Sequence, residues 1–143
     1  MLALKINRTP EWVDLVPGVR VLAAPLTSVV MVAARSDIAH LADGLEPAEV
    51  SVELTKAIAR RVVLEWEGIG DEEENPIPVS APAVDALMDL HRMCEAFNAV
   101  VIWPYLEIQR EKNASAPLPN GTLAGAEVTA NTAIQSARSA RAN

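Results

Sequence analysis

Val62-Val63-Leu64-Glu65-Trp66-Glu67-Gly68-Ile69-Gly70-Asp71 is the stretch on which the fold turns. Upstream of it, Val50, Leu54, Ala57, Ile58, Val62 and Trp66 form one apolar stripe on a 3.6-residue period. That spacing predicts a single helix from Ala48 to Glu67. Glu49 and Glu53 stand near its start and Arg60-Arg61 further on, the order the helix dipole favours. Gly68 and Gly70 read as its stop signals. The acidic run Asp71-Glu72-Glu73-Glu74 cannot be core, and Asp71 to Val79, with Pro76 and Pro78, reads as an exposed connector.

Outward from this centre, Trp12 to Leu15 and Val19 to Leu22 read as two short strands around a Pro17-Gly18 turn. Proline presets the first turn dihedral and glycine accepts positive φ at the next position. A lone hairpin is marginal in water, so it must pack on the helices that follow. Thr27 is the expected N-cap of a short helix from Val29 to Arg35. Three β-branched valines in it, Val29, Val30 and Val32, leave a strand reading open. Residues 36–47 read as a loop with one helical turn.

Downstream, Ser80 should cap a second long helix, with Pro82 tolerated in its first turn. Val84, Leu87, Leu90, Cys94, Phe97 and Val101 step along it as a near-heptad seam, suited to packing on another helix. Pro104 should kink or end it. From Asn113 onward Ala, Ser, Thr, Asn, Gly and Pro dominate, and few large apolar side chains offset the entropy of ordering. The expectation is therefore a mainly α fold: a small helical domain with an N-terminal β-hairpin over residues 1–112, and a disordered, flexible tail over 113–143.

Half of the 143 residues are hydrophobic but only 3% are aromatic, so the core has few large anchors. Modest monomer stability is expected, and association with a partner, or as a homo-oligomer, would supplement it. Net charge is −7. Residues 1–112 carry −8 and residues 113–143 carry +1. An acidic body repels phosphate backbones, which argues against nucleic acid as a partner. The single cysteine, Cys94, suits a reducing compartment. Met1 to Arg8 lacks the marks of a signal peptide, and no apolar run approaches about 18 residues. A cytoplasmic protein without membrane contact is the expectation.

No residue set in the sequence is a persuasive catalytic or metal centre. His91 and Cys94, three apart on a helix, could offer two zinc ligands, but a structural site needs four and no second pair exists. A Cys–His nucleophile would lack its orienting third group. Asp71 to Asn75 has consecutive acids where a calcium loop needs alternating ligands around a glycine. The more useful reading of the acids is a docking rim: Glu65, Glu67, Asp71, Glu72, Glu73 and Glu74 would act against a basic partner. Trp66, between two of them, reads first as core and second as an interface anchor. Gly68-Ile69-Gly70 has neither the spacing nor the basic residue of a phosphate loop.

The run Val63-Leu64-Glu65-Trp66-Glu67-Gly68-Ile69-Gly70-Asp71, the acidic turn ending Asn75-Pro76-Ile77-Pro78-Val79 and the Leu-rich helix after it resemble the tail assembly chaperones of tailed phages and prophages. The likeness is nearest to short proteins of alphaproteobacterial prophage-like elements, and covers roughly residues 12–125. Usual members carry a glycine within that turn, as in Asp-x-x-Gly-Asn-Pro; here Glu74 takes its place, which counts against a tight turn. The resemblance implies a non-enzymatic, mostly helical protein of the host cytoplasm. Such a chaperone coats the tape measure protein, keeps it soluble and helps recruit tail tube subunits, without a cofactor. Leu54, Ile58, Val62, Trp66, Leu90 and Phe97 are expected to form core and groove, with Glu65 to Glu74 as the acidic rim. A structural virion component, and a small enzyme using His91 and Cys94, are the rival readings.

Overall fold

The computed structural model describes residues 1–107; the tail expected over 113–143, and the end of the unit expected over 1–112, lie outside them. Strand β1 (Glu11–Val16) and strand β2 (Val19–Ala23) form the expected hairpin, with Gly18 at φ 86°. Helix α1 (Ser28–Ile38) begins where Thr27 Oγ1 accepts from the Val30 amide at 3.3 Å. It runs three residues beyond Arg35, because Ile38 adds a further turn to the face that buries Met31 and Ala34. A 3₁₀ turn (Ala42–Gly44) leads to helix α2 (Pro47–Val62), which opens with a capping box between Glu46 and Glu49.

The helix expected to reach Glu67 stops at Val62, and Val63–Glu67 is strand β3. It pairs antiparallel with β2, giving a three-stranded sheet in the order β1-β2-β3. The mainly α expectation is thereby overturned. The described residues hold four α-helices and this antiparallel sheet, a mixed α/β fold. The physical reason is the free edge of β2. A two-stranded hairpin is marginal alone, and β-branched Val62-Val63 favour extended backbone over a further helical turn.

The register explains why the periodicity misleads. Val21 faces Trp66, Leu22 faces Glu65, and Ala23 faces Val63, so Leu64 is an extra residue in a bulge. The bulge puts the inward residues Val63 and Trp66 three apart instead of two. Trp66 also stands four residues from buried Val62, so a strand with a bulge imitates the helical stripe.

Gly68 ends β3 at φ 83°. A Cβ there would stand 1.8 Å from the Gly18 carbonyl oxygen, so the β1–β2 turn and the end of β3 touch backbone to backbone. Next comes helix α3 (Ala81–Asp89), capped by Ser80 Oγ at 3.2 Å from the Ala83 amide, as expected. The seam beyond it is not one helix. Leu90 is extended (ψ 113°), and helix α4 (His91–Phe97) starts anew. The break turns Leu90 outward, 58% exposed, while Val84, Leu87, Cys94 and Phe97 stay buried on both sides of it. A π-turn (Asn98–Ile102) follows α4. Helical geometry then continues over 103–107, so Pro104 does not end the element. Val21, Ile58, Val62, Val84, Met88 and Phe97 are the fully buried centre, shared by the inner face of the sheet and the helices.

Candidate functional site

The acidic segment is exposed, as expected, and is folded into a hydrogen-bonded turn. Asp71 accepts from the amides of Glu73 and Asn75, both at 2.9 Å, and from the Asn75 side chain at 3.3 Å. The Asn75 amide, first among these donors, holds the Asp71 carboxyl below its ordinary pKa. Asp71 N in turn donates to Asn75 O at 2.9 Å, and Gly70 bridges Pro76. Glu74 closes the turn at φ 66°, a left-handed conformation for a residue with a Cβ. The tight turn that Glu74 counts against therefore forms. Glu72, Glu73 and Glu74 remain exposed around it.

Trp66 is half-buried and donates its indole N–H to Ile77 O at 2.7 Å, tying the returning chain under the sheet. Glu65 and Glu67 point to the outer face of the sheet. Glu67 accepts from Arg20 Nε at 2.7 Å, and that bond lowers its pKa. Arg20 also stacks 4.5 Å over the Trp12 ring. The expected rim thus splits: Asp71, Trp66 and Glu67 have structural partners, while Glu65, Glu72, Glu73 and Glu74 are solvated acids without an ion pair among the described residues.

A second surface lies among the helices. A cavity of about 350 Å³ opens between α1, α2 and the chain from α4 to residue 106. Buried Met31, Ile58 and Ile102 back it, half-buried Leu54 lines it, and Trp103 and Leu106 stand at it 51% and 41% exposed. Its central polar groups, Thr55 and Asn98, lie against each other and their neighbours. The Thr55 hydroxyl lies 3.0 Å from Ser51 O and 3.1 Å from Asn98 Oδ1, and Asn98 Nδ2 donates to Cys94 Sγ at 3.9 Å. The π-turn sends Ile102 inward and Trp103 outward; such insertions in a helix are frequent at functional sites.

Of the expected groove residues, Leu54 and Ile58 line this cavity. Val62 and Phe97 are sealed in the core, Trp66 belongs to the sheet, and Leu90 lies elsewhere on the surface. Arg35, Trp103 and Leu106 fall outside the expected groove. The helix is expected to kink or end at Pro104, and the three-residue step from Trp103 to Leu106, read through the proline, is the signal for those two; Arg35 on α1 carries none.

His91 and Cys94 do not converge on a reaction centre. His91 is 89% exposed and lies 3.7 Å from Glu95, whereas the Cys94 thiol is buried and burial raises its pKa. Among the described residues no His, Cys, Asp and Glu cluster has metal-ligand geometry, and no helix is long and apolar enough to cross a membrane. No protein-family model, curated protein or solved structure matches this chain.

Proposed function

We propose that this chain is a tail assembly chaperone of a tailed phage or prophage. It holds the tape measure protein in soluble form in the host cytoplasm and helps recruit tail tube subunits. The observation that carries the reading is the apolar groove between α1, α2 and residues 95–106, with Trp103 and Leu106 left at solvent. Trp103 and Leu106 border an apolar floor between helices, the kind of seat that an amphipathic helix can occupy. The turn from Asp71 to Pro76 supports it from the other side. Glu74 is left-handed at the place where the resembling family usually carries glycine.

Co-expression with a long helical tape measure protein of a tailed phage or prophage tests the role. The soluble fraction of that protein should rise, the two should co-purify, and the chain should be absent from finished particles. No gain in solubility together with no co-purification would refute the role, and abundance in purified particles would make it a virion component.

A further inference from the structure

The geometry points to a helix, and not an extended peptide, as the occupant of the groove, with an acidic flank toward Arg35 and a basic flank toward Glu95. This deepens the chaperone reading and rests on it for the identity of the partner protein. The groove itself decides the shape of the occupant. Its walls are helices, whose backbone groups are paired internally, so no sheet edge is offered to an extended strand. The Thr55 hydroxyl, with one hydrogen to donate, lies within reach of Ser51 O and Asn98 Oδ1, and Asn98 Nδ2 donates one hydrogen to Cys94 Sγ. A peptide backbone laid along this floor would lose more hydrogen bonds to water than these groups can replace. A helix brings its own backbone bonds and presents only side chains, which is what an apolar floor can receive.

The flanks follow from charge. Most cations of the body are committed: Lys56 to Asp89 at 2.6 Å, Arg61 to Asp37 at 2.8 Å, Arg20 to Glu67 at 2.7 Å, and Arg60 to Asp85. Arg35, on the α1 wall, has no ion pair among the described residues. Glu95, on the α4 wall, has only exposed His91, at 3.7 Å. One charge of each sign therefore borders the apolar lining, Arg35 without an ion pair among the described residues and Glu95 with only the exposed His91, and a helix with a carboxylate along one side of its stripe and a cation along the other matches both. The same pattern disfavours a helix flanked by one sign alone.

Three synthetic 18-residue helices test this on the full chain. All carry the same leucine stripe; one has Glu on one flank and Lys on the other, one has Glu on both, and one has Lys on both. The mixed peptide should bind about two- to fivefold tighter than either single-sign peptide, the range of rim ion pairs. NMR shifts should centre on the Trp103 indole and Asn98. Arg35→Glu should transfer the preference to the Lys peptide and Glu95→Arg to the Glu peptide, while Leu90→Ser should change nothing. Equal affinities, a preference blind to both reversals, shifts around Leu90, or a peptide-displaceable homodimer would each overturn the inference. Peptide binding as described without solubilisation of the tape measure protein would refute the chaperone role alone. Solubilisation unaffected by Arg35→Glu and Glu95→Arg would refute the groove alone.

Discussion

Where β3 meets the β1–β2 turn, chain segments touch through backbone: Gly68 lies against the Gly18 carbonyl, Gly70 against Asn75, and Asp71 gathers two amides. Around the groove, contact is made instead by aliphatic side chains such as Met31, Leu54, Ile58 and Ile102, and part of the surface stays open. The first region specifies a geometry and tolerates no added atom; the second specifies a volume and tolerates exchange. A molecule so built can keep a rigid acidic edge while offering a deformable apolar seat on another face. The contrast can be broken or sharpened by substitution.

The largest effect belongs to Gly68→Ala. Its Cβ would meet the Gly18 oxygen at 1.8 Å on a backbone at φ 83°, so steric overlap and backbone strain act together. A loss beyond about 4 kcal/mol in urea unfolding is expected. Gly18→Ala shares the positive φ but meets nothing within 4 Å, so it should cost only about 1–2 kcal/mol. Gly44→Ala has neither problem and should stay within about 0.5 kcal/mol. Equal costs at the three positions would mean that backbone contact does not distinguish the sheet end.

The helical side should respond by volume. Phe97 is fully buried, and Phe97→Ala should cost about 3 kcal/mol. Trp103→Ala, at a residue half in solvent, should cost less than about 1 kcal/mol, yet weaken capture of the tape measure protein. Paired measurement of unfolding midpoint and co-purification checks this. Comparable stability loss at both positions would make Trp103 a core residue and remove the open mouth of the groove.

What could be read in advance follows the same division. Both N-caps, Thr27 and Ser80, the Pro17-Gly18 hairpin and the body of α2 were legible, because each rests on neighbours in sequence. β3 was not, because strand identity there comes from the vacant edge of β2, about forty residues earlier in the chain. Its bulge at Leu64 made the inward residues fall on a helical period. The break at Leu90 has no proline or glycine to announce it, and only the position of the core decides it. Of the site, the acids were legible as a group, but which were committed to Arg20 or to the Asp71 turn depends on contacts with no local signature. Arg35 as the unpaired cation of the groove shows itself only when Lys56, Arg60 and Arg61 on the neighbouring helix are seen paired.

Glu74 is the smallest test, and it bears on both regions through one residue. Its left-handed backbone costs a residue with a Cβ about 1–2 kcal/mol. Glycine would remove that cost but lose about 0.5–1 kcal/mol through the greater freedom of its unfolded chain. Glu74→Gly should therefore stabilise the fold by about 0.5–1 kcal/mol, read as a higher urea midpoint with unchanged slope. The gain should appear with the Asp71 bonds intact, so slowed exchange of the Glu73 and Asn75 amides should accompany it. A lower midpoint would mean that the Glu74 side chain holds the turn, which would move it from the exposed acidic rim into the rigid edge. A higher midpoint leaves the Glu74 carboxylate free for a partner, and capture of that partner by the Glu74→Gly chain then measures how much the carboxylate contributes.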